Sequence, residues 1–374
     1  MGPRKKIQNV PIAAQCNDHS AYLAGVPYQK FYTDARTFAE VQLLVSEYYG
    51  FDAPNTMWDI YNIEAEALGQ KMSYSPKGMP DVDFTSPIIK EPSILDDLKP
   101  PDPFKSGRMP WVHQLNKIYM EKTGRPAHGF FCAPFSLAVN IRGYVNFIRD
   151  IKTDPAYAHR LLEFICDEVL SPYIKAMRQE TGIENMLADG MDAWASPPNV
   201  DLDIVDNFVL PYIERLRGTL GERVVTGGQW GEEKSHDPER FMLQKLKACP
   251  ITLRISDPSL HVLGPHRVKE FAQRHKVRVT AGLDAGLLMD GPIDLIIERI
   301  RFYIDVLGRE ENLFIYLNQI PATTPPAHIH AAVAACRTFG KYPIAENFDE
   351  VALDLAERET FAEFAAAKGV SYAV

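Results

Sequence analysis

The sequence predicts an α/β protein of the (β/α)8 TIM-barrel class, and three observations predict it. Seven short apolar runs alternate with stretches whose apolar residues recur at helical spacing. A strand followed by a helix, repeated, implies a parallel sheet, because a parallel connection needs a crossover. The 374 residues suit one large barrel with insertions.

The candidate strands, in order, are APNTMWDI (53–60), AHGFFCAPF (127–135), IENMLADG (183–190), RVVTGG (223–228), ITLRIS (251–256), KVRVTAG (276–282) and NLFIYLN (312–318). An eighth has no obvious place. Between the last two, Pro292 stands at a first-turn position, Ile293, Ile296, Ile297, Ile300, Ile304 and Leu307 recur at helical spacing, and Gly308 is placed to stop the helix. Asp154-Pro155 opens a second long helix, with Leu162, Ile165, Val169, Tyr173 and Met177 on one face before Gly182. Residues 75–126 are rich in proline and poor in period, so they are expected to form a long insertion. The whole chain, 1–374, reads as one barrel domain, with 1–50 an N-terminal helical extension.

The net charge of −9 argues against a nucleic-acid partner, since a phosphate backbone is met by clustered cations. The five cysteines, Cys16, Cys132, Cys166, Cys249 and Cys336, are widely spaced with no CxxC pair, so neither a disulfide framework nor a thiolate zinc knuckle is signalled. No apolar stretch follows the short basic run at the N-terminus and none reaches about 18 residues, so a cytoplasmic chain without membrane segments is expected.

In such a barrel chemistry sits at the C-terminal ends of the strands. The residues just past the apolar runs are Trp58, Asp59, Tyr61 and Asn62; Asp189, Asp192 and Trp194; Gln229, Trp230, Glu232 and Glu233; Asp257 and His261; Asp284; and Asn318 and Gln319. Three of the four tryptophans fall in this set. Each taken singly reads as a core residue, but together they suggest an aromatic-lined pocket. Asp284 reads equally as a helix cap, and His261 as a loop histidine. His328 and His330 read as helix-packing residues, and Cys132 as a buried, inert thiol.

Three blocks carry a family resemblance: WDIYNIEAEALG (58–69), APFSLAVNIRG (133–143), and AGLDAGLLMDGPIDLIIERI (281–300) followed by IYLNQIPATTPPAHIHAAVAACRTFGKYP (315–343). With these the chain, over roughly residues 20–345, resembles the uroporphyrinogen decarboxylase superfamily. The resemblance implies a TIM barrel and leaves room for a homodimer. The decarboxylases' arginine-rich opening motif has no equivalent here, their tyrosine near Val139 or Asn140 is missing, and their late histidine position is Asn318. Only Asp59 matches, with a one-residue misfit in spacing.

The other large branch comprises methyltransferases that act with a separate corrinoid (cobalamin) protein. Where its thiol-using members carry His-x-Cys and a late cysteine, this chain has Gly228-Gln229-Trp230 and Asn318, an indole and amides in place of zinc ligands. The resemblance therefore implies a demethylase moving a methyl group from a small methoxylated aromatic to a corrinoid cobalt. Trp58, Trp194, Gln229, Trp230 and Asn318 would bind the donor, and Asp59, Asp257 and Glu232 are the candidate catalytic residues. Asp257, His261 and Asp284 could together form a non-thiolate zinc site. Without a metal, Asp59 or Glu232 with a raised pKa could be the acid. A lyase acting on a smaller carboxylated substrate and a non-catalytic tetrapyrrole or aromatic binder remain as alternatives. For a lyase the only nearby cations in the sequence are Arg254 and Lys234.

Overall fold

The computed structural model describes residues 8–370; the basic run within residues 1–7 lies outside the described residues. The chain divides into two compact units, one formed by residues 1–27, 40–55 and 251–374, the other by residues 28–39 and 56–250. In chain order the strands are β1 (Ile12–Ala14), β2 (Met72–Ser73), β3 (Asp81–Val82), β4 (Gly129–Cys132), β5 (Ala188–Met191), β6 (Val224–Gly227), β7 (Thr252–Ser256), β8 (Arg278–Leu283) and β9 (Leu313–Leu317).

The first unit holds a parallel sheet in the order β1-β9-β8-β7. Outward-facing backbone groups of β1 would template another strand, and Asp52 closes them. Its carboxylate accepts from the Ile12 N–H at 2.7 Å and its own N–H donates to the Ile12 carbonyl at 2.9 Å. The helix Ile293–Leu307 follows the predicted stripe, with Ile296, Ile300, Ile304 and Leu307 buried against β8 and the helix Pro326–Phe339. In β8, Gly282 has no substitute: a Cβ there would lie 2.1 Å from the Ser256 hydroxyl.

The second unit holds the parallel sheet β4-β5-β6, every residue of which is buried, as expected of strands covered on both faces. The helix predicted from Asp154 runs from Pro155 to Thr181, capped by the Asp154 carboxylate on the Tyr157 N–H. It widens to a π-turn over Ile165–Leu170, just ahead of Pro172, and a second π-turn over Val205–Val209 precedes Pro211. A proline inside a helix has no N–H to donate and crowds the carbonyl four residues back, and a wider turn relieves both.

Three expectations need correction. Residues 53–60 form no strand, although Trp58 and Asp59 are buried. Side-chain bonds rather than a ladder join the segment that follows to its neighbours: Asn140 Nδ2 donates to the Tyr61 carbonyl at 2.6 Å, and the Glu64 carboxyl accepts from the Cys132 N–H of β4 at 2.9 Å. The strand that had no place is β1, only three residues long and inside the stretch expected to be helical. The insertion 75–126 is not without period: it contains the helix Met109–Thr123, with Pro110 in its first turn, Trp111, Leu115, Ile118 and Tyr119 buried, and Gly124 (φ 70°) as its left-handed stop.

The first unit also buries a polar cluster in which His19 is fully enclosed. Its Nδ1 lies 3.0 Å from the Ala322 carbonyl, which can only accept, so Nδ1 carries the proton and Nε2 accepts from the Tyr49 hydroxyl at 2.6 Å. Burial lowers the imidazole from 6.5 to about 4, against the opposing pull of the backbone carbonyls. Because the folded value is depressed, this contribution to stability is complete above about pH 6.5 and is lost as pH falls towards 4, a change on the order of 3 kcal/mol. The variant His19→Gln should therefore be less stable than wild type at pH 7, with the gap closing as the pH is lowered to 4. A gap in chemical-denaturation midpoint that stays constant over that range would contradict this assignment.

Candidate functional site

The C-terminal ends of β4, β5 and β6 lie side by side in register, Cys132 opposite Met191 and Met191 opposite Gly227. Asp192 follows β5 directly and is fully buried. Its Oδ1 accepts from the Ser136 N–H at 2.9 Å and the Ser136 hydroxyl at 2.6 Å, at the N-terminal turn of the helix Pro134–Arg142. Its Oδ2 has no hydrogen-bond partner among the described residues. Burial raises the carboxyl from 3.8 to about 6, against the pull of the two Ser136 bonds. The same Ser136 oxygen accepts from the Trp194 N–H at 3.2 Å. The Trp194 ring stacks on Tyr144 with centroids 5.2 Å apart and planes at 25°, and Phe84 meets it edge-on at 6.0 Å. All three rings are partly exposed, so a buried acid adjoins an accessible aromatic face.

The segment before the helix Ile63–Ala67 supplies more carboxyls. Asp59, fully buried, is gripped by Arg108 in a bidentate pair of 3.0 and 2.6 Å, and Arg108 Nε reaches Glu66 at 2.5 Å. Burial pushes the Asp59 carboxyl up, and Arg108 offsets part of that. Trp58 is buried edge-on to Phe130 of β4 at 5.5 Å. Glu64 is also fully buried, and burial raises it from 4.5 to about 8, against the Cys132 N–H bond, so it keeps its proton at neutral pH.

Past β6, the stretch Gly228-Gln229-Trp230-Gly231 is shaped by its two glycines, with φ of 79° and 87°. A Cβ on Gly231 would stand 2.3 Å from the Pro197 carbonyl oxygen, so this loop lies directly on the loop after β5. The Trp230 N–H donates to the Ser196 hydroxyl at 3.0 Å, and the indole is 44% exposed beneath the Lys234 ammonium, 4.9 Å from the ring centroid. Gln229 is nearly buried, its carbonyl accepting from Lys245 at 2.9 Å and its Oε1 without a partner among the described residues. Glu232, expected as an acid, is instead the buried ion-pair partner of Lys245.

In the first unit, Asp257 follows β7 directly and is held by Arg299 at 2.7 Å and by the Tyr303 hydroxyl. His261 is exposed on the short helix Ser259–Leu263. Asp284 is a helix cap, its carboxylate accepting from the Leu287 N–H at 2.8 Å. These three do not form the expected metal site: among the described residues no group of three or more His, Cys, Asp or Glu side chains converges as metal binding requires. Asn318 follows β9 and is exposed.

The sequence reading named Asp59, Trp58, Trp194, Gln229 and Trp230, and listed Asp192 and Tyr61 among the residues past the strands, but it missed Arg108, Glu64 and Ser136. Ser136 carried a signal, a hydroxyl two residues after Pro134, the proline that opens the helix following β4. Arg108 carried none, since its partner lies 49 residues earlier.

Glu64 generates a stability prediction. A carboxyl whose folded pKa is raised contributes stability that is complete below about pH 4.5 and is lost as pH rises through about 8. Glu64→Gln removes the titrating group, so its melting temperature relative to wild type should climb between pH 5 and pH 9, by about 5 °C. A difference that does not change with pH would show that Glu64 ionises normally.

The family model described as uroporphyrinogen decarboxylase (URO-D) matches residues 3–339. A methylated-thiol–coenzyme M methyltransferase of Methanosarcina mazei is 29% identical over 219 residues, and the chain spans 56% of the length of that curated relative, matched by 56% of its own. A solved methyltransferase from Methanosarcina mazei superposes with a TM-score of 0.72 at 18% identity, over 89% of this chain and 95% of that one. At that identity the superposition speaks for the fold alone. It agrees with the alternation of parallel strands and helices in both units. By the extent of the family match, the chain belongs to the uroporphyrinogen decarboxylase family and has the α/β, TIM-barrel-type fold of that family.

Proposed function

We propose that the protein is a corrinoid-dependent methyltransferase, a demethylase that moves a methyl group from a small methoxylated aromatic donor to the cobalt of a corrinoid carried on a partner protein. The observation that carries this reading is the accessible Trp194 face, backed by Tyr144 and Phe84, one serine away from the buried Asp192 carboxyl. The methyltransferase name of the curated relative supports methyl transfer as the reaction class. Phe84, Tyr144 and Trp194 offer a donor ring stacked or edge-on contact.

An aryl methyl ether is a poor electrophile because a phenolate is a poor leaving group. The reduced corrinoid, as methyl acceptor, brings the nucleophile: the methyl carbon leaves the ether oxygen for cobalt, the C–O electron pair stays on oxygen, and one proton completes the phenol. This chain's part is to hold the ring and deliver that proton. Asp192 is the acid we assign. Its carboxyl is lifted to about 6, its Oδ2 has no other partner, and Ser136 fixes its other oxygen. Glu64, which keeps its proton to about pH 8, and Asp192 each lie near enough to Cys132 to push its thiol pKa, already raised by burial, up further. A decarboxylase would need a cation to grip the substrate carboxylate, and the buried Arg108 is already neutralised by Asp59 and Glu66. Trp58, Gln229 and Trp230 complete the proposed donor contacts within this unit.

The test is anaerobic mixing of the purified chain with cob(I)alamin and a panel of methylated donors, following the cobalt spectrum. Methyl-cobalt formation with methoxyarenes is expected, and its absence with every donor would overturn the reading. In the active system kcat should fall as pH rises through about 6, the direction for an acid that must be protonated. Asp192→Asn should lower kcat by roughly 100-fold or more and flatten that limb, whereas Trp194→Ala should chiefly raise the donor KM, by about tenfold.

A further inference from the structure

We propose that the buried pair of Lys245 and Glu232 is a positioning device that holds the Gln229-Trp230 loop in the shape the donor needs; this rests on the donor reading above. Lys245 lies on the helix Pro238–Ala248, which begins only seven residues after the Gly228–Gly231 stretch. Its side chain is 5% exposed and that of Glu232 is 1% exposed, so neither charge is solvated. A buried ammonium and carboxylate give little net stability over apolar residues of the same size, so stability alone is a weak reason for the pair to be there.

The geometry supplies a better one. Gly228 and Gly231 give the loop its path but also give the unfolded chain extra freedom, so something else must select one loop conformation. Lys245 does so from beneath, donating to the Gln229 carbonyl at 2.9 Å and to the Glu232 carboxylate, one on either side of Trp230. From the side, the Ser196 hydroxyl takes the Trp230 N–H, and Gly231 rests on the Pro197 carbonyl. Ser196 is two residues beyond Trp194. A shift at Lys245 therefore moves Gln229 and Glu232 directly, carries Trp230 between them, and reaches the loop carrying Trp194 through Ser196. Lys245 and Glu232 are positioning residues that act through Gln229 and Trp230.

The test separates positioning from stability. Lys245→Met alone strands the Glu232 charge and should lower the melting temperature. Adding Glu232→Gln removes the stranded charge and should restore the melting temperature, but should not restore binding: the dissociation constant for 2-methoxyphenol, by calorimetry, should stay about tenfold above wild type, with kcat at saturating donor within about threefold. In the same double variant, acrylamide quenching of Trp230, read as the difference from a Trp230→Phe background, should be altered without donor present. A purely structural pair would show both stability and affinity restored, and that result overturns the proposal. If the double variant does not fold, Ser196→Ala removes the second anchor, and an unchanged dissociation constant and unchanged Trp230 quenching there overturn it equally. If wild type binds no methoxyarene the donor reading fails, while the quenching measurement still decides whether the pair shapes the loop.

Discussion

The second unit depends on one constraint: carboxyls carried into a dry interior around the ends of its parallel strands must find a partner or keep a proton. β4, β5 and β6 are buried along their whole length, so the first residues past them are still inside the protein. Asp59 and Glu232 meet the constraint with cations, Arg108 and Lys245. Asp192 and Glu64 meet it only in part, with backbone and hydroxyl donors on one oxygen, and burial then holds their protons at pH values where exposed carboxyls have lost them. The two solutions divide the carboxyls by role. A paired carboxylate is fixed in charge and place and serves the scaffold, whereas a half-paired one near neutrality can exchange a proton.

Much of the fold is readable from the chain because parallel strands and amphipathic helices leave periodic traces. Six of the seven runs that read as strands fall on β4 to β9, with β5 and β8 each ending one residue beyond its run, and the helices Pro155–Phe164 and Ile293–Leu307 begin at Pro155 and next to Pro292, the prolines that mark their first turns. What failed has physical causes. β1 is three residues long and shows no alternation to read. Residues 53–60 read as a strand because Trp58 is buried, but the backbone bends within a few residues into the helix Ile63–Ala67, where the Asn140 side chain takes the Tyr61 carbonyl and the Glu64 side chain takes the Cys132 N–H of β4. The helix Met109–Thr123 was hidden by the prolines before it, although its own stripe of Trp111, Leu115, Ile118 and Tyr119 is regular.

The candidate site was legible as residue types and much less so as pairings. The tryptophans and acids past the strands are local signals, and Trp194, Trp230 and Asp192 were visible in that way. Whether a given acid is free is decided by contacts across long stretches of chain: Arg108 to Asp59, Ser136 to Asp192 across 56 residues, Cys132 to Glu64 across 68. The expected metal triad failed for the same reason. Asp257 is answered by Arg299 and Tyr303, 42 and 46 residues downstream, and Asp284 caps the helix it begins, so the two carboxylates are held apart by different partners and do not converge on one point.

These pairings also account for the glycines around Gln229 and Trp230. Once Glu232 must turn inward to Lys245 while the Trp230 indole faces out, the backbone between them has to reverse direction within a residue or two, in a space already bounded by the Pro197 carbonyl. Residues with a Cβ resist positive φ, and at Gly231 a Cβ would also collide with that carbonyl, so the reversal needs glycine on both flanks. The paired glycines are thus a consequence of charge burial. The inward carboxylate fixes one end of the loop and the β5 loop fixes the other, leaving Gln229 and Trp230 as the side chains it presents.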